Sequence, residues 1–256
     1  MAKYRNQHWY FQKAAKYDLL AQYFKYIDPV QHISYYQKHL HCMNYAMHMT
    51  RTSNMLPAEE ETQQESAKIR IIHATPDTGP VDIYVNGARV LQDFPYKEIS
   101  DYFSLPAGRY QVDIYPAGNM VSTVLSRKMT VESGKMYTAA AAGKAGKLKF
   151  VTLEDQPAVP FGETKIRFVH LSPDAPAVDI AVKNRDVIFP DIAFRQASRY
   201  LALTPMTVDL EARIAGTSNV ALSLPRAQFK ADQAYTIVAV GLVASEPELE
   251  TIIISG

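Results

Sequence analysis

The chain has 256 residues, 47% of them apolar and 21% charged, with a formal net charge of +1. That length accommodates two domains of ordinary size, and that apolar content sustains packed cores rather than a disordered chain. Near-neutrality argues against a general nucleic-acid binder, which needs many phosphate-neutralising cations, and the lone Cys42 rules out an internal disulfide framework or a cysteine-based zinc finger.

Residues 1–49 differ in kind from the rest. They hold eight of the 16 tyrosines, the only tryptophan (Trp9), Cys42 and five of the seven histidines, with six Lys/Arg against two Asp. Phe11, Ala14, Ala15, Leu19, Leu20 and Phe24 recur at helical spacing with no Gly or Pro before Asp28, which predicts a first helix. "IDPVQ" reads as a helix restart, with Asp28 as cap and Pro29 in the first turn. A second helix then carries Ile33, Tyr36, Leu40, Met43 and Met47 on one face. Two such helices form a hairpin too small to bury a core alone, so the pair is expected to dock on a partner, on copies of itself, or on the rest of the chain. No apolar run approaches the roughly 18 residues of a membrane-spanning helix. The opening "MAKYRNQHWYFQKAAKYD" places charges where a secretory signal has an apolar core. The expectation is a chain that stays in the cytoplasm, is released by lysis of a mother cell, or leaves by another route.

Residues 50–67 are polar, acidic and aperiodic, and read as a linker. From residue 68 the period changes to two: "KIRIIHA", "VDIYVNG", "YQVDIYP", "SRKMTV", "MYTAAAAG" and "KLKFVTL" alternate between turn residues. "VNGARV" offers an Asn-Gly hairpin turn at Asn86-Gly87. Residues 68–153 therefore read as an antiparallel β sandwich or barrel. A boundary follows at 154–164, "EDQPAVPFGET".

Residues 165–256 read as a second copy. Lys68–Val85 aligns with Lys165–Val182 without a gap, matching His73, Pro76, Asp77, Val81, Asp82, Ile83 and Val85 to His170, Pro173, Asp174, Val178, Asp179, Ile180 and Val182. Further on, Ser100, Tyr102, Leu105, Tyr137 and Gly143 answer Ser198, Tyr200, Leu203, Tyr235 and Gly241. The predicted fold is mainly β, with two tandem sandwiches behind an α-helical hairpin.

The run "IIHATPDTGPVDIYVNG" resembles the signature of a bacterial family known as domain of unknown function 4397. Arg70, His73, Pro76, Asp77, Val81, Asp82, Tyr84, Asn86 and Gly87 carry the resemblance in the first copy. Arg167, His170, Pro173, Asp174, Pro176, Val178 and Asp179 carry it in the second, where Lys183-Asn184 replace the Asn-Gly turn. It spans about 185 residues and leaves out the helical segment. It implies immunoglobulin-like sandwiches and a cell-envelope or extracellular setting, and no reaction.

Three groups of side chains invite a chemical reading. His73, Asp77 and Asp82, repeated as His170, Asp174 and Asp179, are sensible metal ligands. They equally suit a framework: Pro restricts the turn, Asp accepts backbone N–H groups, and His bonds its own loop. Retention in two diverged copies favours the framework, and Asp82 is placed to pair with Arg70. His32, His39, His41, His48 and Cys42 share helical faces without a strong zinc or copper spacing. Trp9, Tyr10, Tyr17, Tyr23, Tyr26, Tyr35, Tyr36 and Tyr45, with Tyr4, outnumber the places on one face, so several should point outward as an interface. "GKAGK" (143–147) lacks the phosphate-loop spacing, and no nucleophile elbow, dinucleotide fingerprint or Walker motif occurs.

The reading that follows is a non-enzymatic structural or assembly protein of the cell envelope or spore surface, with no cofactor and no metal. Its helices would bind a protein partner or each other. The alternatives are a carbohydrate- or peptide-binding module using Tyr84, Tyr96, Tyr102 and Tyr115, and a metal-dependent hydrolase.

Overall fold

The computed structural model describes residues 7–53, 65–119 and 121–256. The chain divides into two compact units, Met1–Thr62 and Gln63–Gly256. Most of the predicted linker, 54–64, and Tyr4 lie outside the described residues, as does the side chain of His48.

The first unit is a hairpin of α1 (Gln7–Phe24) and α2 (Pro29–Ser53). Asp28 Oδ1 accepts the N–H groups of Val30 (3.0 Å) and Gln31 (3.1 Å), so the restart is a side-chain cap on α2. Among the described residues, the buried side chains of the hairpin are small: Ala14 and Ala21 on α1, Cys42 and Ala46 on α2. Two histidines of α2 reach across to α1. His32 Nδ1–H donates to the Ala21 carbonyl (2.7 Å) and His39 Nδ1–H to the Ala14 carbonyl (3.0 Å). Both residue pairs are seven apart, so one antiparallel register satisfies both bonds. The face of α2 that is apolar by spacing is therefore not the one that packs on α1. Ile33, Tyr36, Leu40 and Met47 are exposed.

The second unit is mainly β, as its two-residue periodicity predicts. Its first sandwich comprises β1 (Ala67–Ala74), β2 (Val81–Val85), β3 (Ala88–Phe94), β4 (Phe103–Leu105), β5 (Gly108–Pro116), β6 (Leu125–Val131), β7 (Met136–Ala142) and β8 (Lys149–Asp155). One sheet runs β4-β1-β7-β8 and the other β3-β2-β5-β6. The second sandwich comprises β9 (Thr164–His170), β10 (Val178–Val182), β11 (Val187–Ile192), β12 (Leu201–Leu203), β13 (Met206–Ile214), β14 (Val220–Phe229), β15 (Gln233–Val240) and β16 (Glu250–Ser255). Its sheets, β12-β9-β15-β16 and β11-β10-β13-β14, repeat the strand order of the first.

Neither sandwich is wholly antiparallel. β1 pairs with β7 and β9 with β15 in parallel. The chain leaves β1, builds the opposite sheet, and returns to the same side; such a long crossover is what parallel neighbours require.

Each sandwich closes on its own core. Ile69, Ile71, Ala139 and Ala141 meet Val81, Ile83, Val112 and Ile114 in the first, and Ile166, Phe168 and Ile237 meet Val178, Ile180 and Leu210 in the second. The alternate residues of the same strands form a third core. Ile72, Ala74, Ala140, Ala142 and Val151 pack against Val169, Leu171, Val238, Val240 and Ile254. The outer faces of β1/β7/β8 and β9/β15/β16 thus cover each other, stacking four sheets in one body. This explains why "KIRIIHA" and "TKIRFVH" are buried on both faces although they read as half-exposed alternations.

Candidate functional site

The repeated His, Pro and Asp residues lie in the loops that join β1 to β2 and β9 to β10. His73, next to last in β1, and His170, last in β9, lie on the inward side, and the chain then turns away at Pro76 and Pro173. His73 Nε2 lies 2.8 Å from Thr75 Oγ1 and 3.2 Å from Thr78 Oγ1, both in its own loop. His170 Nε2–H donates to the Pro176 carbonyl (3.1 Å), which fixes its tautomer. In both rings Nδ1 is buried and forms no hydrogen bond among the described residues. Burial pushes the pKa of His73 down to about 4, against a smaller opposing pull from the Pro95 carbonyl, and burial lowers His170 in the same direction. Both rings are neutral at neutral pH.

Asp77 and Asp174 do not stand beside these imidazoles as ligand partners. Asp77 Oδ1 accepts the Ala145 N–H (2.9 Å) from the loop between β7 and β8. Asp174 accepts the N–H groups of Val243 (2.9 Å) and Ala244 (3.5 Å) from the loop between β15 and β16, and also Lys144 Nζ (3.2 Å) from the first sandwich. Those donors hold the Asp174 carboxyl below the usual carboxylate range although burial opposes them. "GKAGK" is accordingly a turn whose lysine and backbone are tied to two aspartates.

Asp82 and Asp179 hold a β-bulge. Asp82 stands opposite two residues of β3, Gln92 and Asp93, and the register shifts there; Asp179 stands opposite Pro190 and Asp191 in the same way. The second bulge residue has positive φ in each case, 49° at Asp93 and 50° at Asp191. The carboxylate opposite satisfies it: Asp82 Oδ1 accepts the Asp93 N–H (2.9 Å) and Asp179 Oδ1 the Asp191 N–H (2.7 Å). The other oxygens accept the N–H groups of Gly118 (3.3 Å) and Gly216 (2.8 Å). The expected Asp82–Arg70 pair does not form. The cation nearest Asp82 is Arg89, with Nη1 3.7 Å away, because Arg70 projects from the opposite face of its sheet.

Arg70 instead enters a buried network between the sandwiches. Its Nε donates to Thr138 Oγ1 (2.9 Å) and its Nη1 to the Ser255 carbonyl (3.2 Å). Arg167 repeats the arrangement, with Nε to Thr236 Oγ1 (3.0 Å) and Nη1 to the Glu154 carbonyl (2.8 Å). Asp155 stands between them. Its Oδ1 accepts Arg167 Nη2, its Oδ2 accepts Thr138 Oγ1 (2.6 Å) and the Tyr102 hydroxyl (2.7 Å), and Arg70 Nε is 3.8 Å away. Each guanidinium also stacks on a tyrosine, Arg70 on Tyr102 and Arg167 on Tyr200, at 4.7 Å from the ring centre. Burial and the Asp155 carboxylate push the Tyr102 pKa up, so its hydroxyl remains a donor. The matched "KIR" and "Tyr102/Tyr200" positions flagged four of these residues. Asp155 carried no signal, because nothing local marks an aspartate at a strand end as the partner of two distant arginines.

The hairpin tyrosines separate into two sets. Trp9 meets Tyr10 edge-on, Tyr10 stacks on Tyr45 (5.3 Å between ring centres), and Tyr17 and Phe24 stack on Tyr35. Of these rings Trp9, Tyr10, Tyr17 and Tyr45, with Lys13, Lys38, His41 and Cys42, line an open cleft of about 640 Å³. Tyr23, Tyr26 and Tyr36 point outward. His32 and His39 are occupied by backbone carbonyls, and no three His, Cys, Asp or Glu side chains gather as metal ligands among the described residues. Of the aromatics considered for glycan binding, Tyr84 is buried and Tyr102 is bound to Asp155.

Residues 67–181 match one family model, described as a domain of unknown function (DUF4397). No curated protein matches the chain. Among solved structures, a candidate cell adhesion protein of Bacteroides eggerthii is 9% identical, with a TM-score of 0.23, over 75% of this chain and 96% of that one. A candidate cell adhesion protein of Bacteroides fragilis is also 9% identical, with a TM-score of 0.20, over 75% and 97%.

Proposed function

We propose that the protein, whose residues 67–181 match the DUF4397 model, is a non-enzymatic structural or assembly component of the cell envelope or spore surface. In this reading residues 68–153 and 165–256 are two copies of that domain, displayed as one rigid body, and the segment 1–49 attaches it. The observation that carries it is the fate of the reactive side chains. His73, Asp77 and Asp82, and likewise His170, Asp174 and Asp179, direct their hydrogen bonds to loops and bulges, Asp174 also to Lys144 of the other sandwich, and the unbonded Nδ1 atoms of the two rings are buried. A catalytic group needs a free lone pair or proton facing an accessible space; the bonded atoms here face backbone, loop hydroxyls or Lys144, and the two unbonded Nδ1 atoms are buried. The outward chemistry lies instead on the hairpin, with its aromatic cleft and its exposed apolar side chains.

Antibody labelling of intact cells and spores tests the proposal. Surface labelling is expected, and a signal confined to the cytoplasm would overturn it.

A further inference from the structure

The hairpin has an incomplete interior. Its buried apolar side chains, among the described residues, are Ala14, Ala21, Cys42 and Ala46. Burial of side chains that small contributes little, and the ring pairs that also join the helices, Tyr10 with Tyr45 and Tyr17 and Phe24 with Tyr35, remain partly exposed, so two helices of this length gain little from each other. Large apolar side chains are present but lie on another face of α2: Ile33 is 55% exposed, Tyr36 47%, Leu40 45% and Met47 53%. Their spacing of three, four and seven places them on a single stripe, with Met43 between them. Gln37 and Asn44 flank the stripe. Lys38, whose charge would disturb it, lies on the opposite side of α2, in the aromatic cleft.

We propose that a second copy of this chain covers the stripe, α2 pairing antiparallel with its counterpart to close a four-helix bundle. The inference rests on the reading that the hairpin is the attachment device, and it names the occupant. An uncharged apolar stripe is its own complement: self-pairing opposes no like charges and leaves no partner charge buried without a counter-ion. The stripe runs from Ile33 to Met47 and is centred on Leu40. A two-fold axis at Leu40 therefore sets Ile33 against Met47 of the partner subunit and brings the two Leu40 side chains together. Antiparallel neighbours also oppose their helix dipoles favourably, as α1 and α2 do. Covering the stripe on both copies removes on the order of 1,000 Å² from water, the scale of a small specific interface. Bundles of this kind pack through such apolar stripes.

The test uses the full chain in solution. Light scattering is expected to give twice the 28.7 kDa chain mass. Leu40→Glu should raise the dimer dissociation constant on the order of 100-fold, while Tyr23→Glu, away from the stripe, should leave it unchanged. In a Cys42→Ala background, mild oxidation should cross-link Leu40→Cys to itself and Ile33→Cys only to Met47→Cys. A monomeric full chain overturns the proposal, and so does self-cross-linking of Ile33→Cys, which would require parallel helices. The surface reading stands or falls separately. A monomer that still labels the cell surface has another partner, whereas a dimer confined to the cytoplasm retains the pairing and loses the location.

Discussion

At the scale of the residue, the two buried histidines have a measurable consequence. His73 has no exposed surface, and its pKa falls from 6.5 to about 4 on folding. The unfolded chain therefore binds a proton between those values that the folded chain does not, so stability is complete above about pH 6.5 and lost as pH falls toward 4. The loss from His73 is at most roughly 3 kcal/mol, and His170 adds a loss in the same direction. Urea midpoints measured from pH 7 to pH 4 should drop, and His73→Gln should flatten part of that dependence. A profile as steep in the variant would assign the proton uptake to other groups. The aspartates are more uniform. Asp82 and Asp179 are kept for one reason, a positive-φ residue across the ladder whose N–H no strand partner satisfies.

At the scale of the element, turns and caps decide where strands and helices begin. Asn86 (φ 49°) and Gly87 (φ 78°) make the two-residue hairpin between β2 and β3, a backbone that favours Asn-Gly. In the second sandwich Lys183-Asn184 cannot supply that pair, and the connection lengthens to 183–186 with Asn184 alone at positive φ. The cap on α2 acts similarly at the hairpin. Asp28→Ala removes the acceptor for two N–H groups and should destabilise the first turn of α2 by about 1 kcal/mol. Amide exchange at Val30 and Gln31 should speed up while exchange in the sandwiches stays unchanged. Equal acceleration in both would mean that the loss is not local.

At the scale of the molecule, Asp155 is the one carboxylate between two buried guanidiniums. Asp155→Ala leaves Arg70 and Arg167 buried without a counter-charge, and removing one partner of a buried pair costs about 3–5 kcal/mol. The variant should unfold at lower urea, with the third core between the sandwiches opening first. Replacing all three residues by apolar ones of similar size should restore most of the loss, because no charge then remains buried. A midpoint unchanged in Asp155→Ala would show that water reaches the arginines.

The sequence by itself determined which stretches are helix and which are strand, the repetition of the strand segments and the positions of several turns, because helical and strand periodicity and Asn, Gly, Pro and Asp chemistry act over a few residues. It did not determine what covers an apolar face. "KIRIIHA" reads as a strand with one wet side, and only the apposition of two sheets shows that Ile72 and Ala74 meet Val169 and Leu171. Arg70 could not be matched to Asp155, nor His39 to the Ala14 carbonyl, since those partners are distant in sequence. Which faces meet is decided by long-range packing, and the chain's local preferences are silent about it.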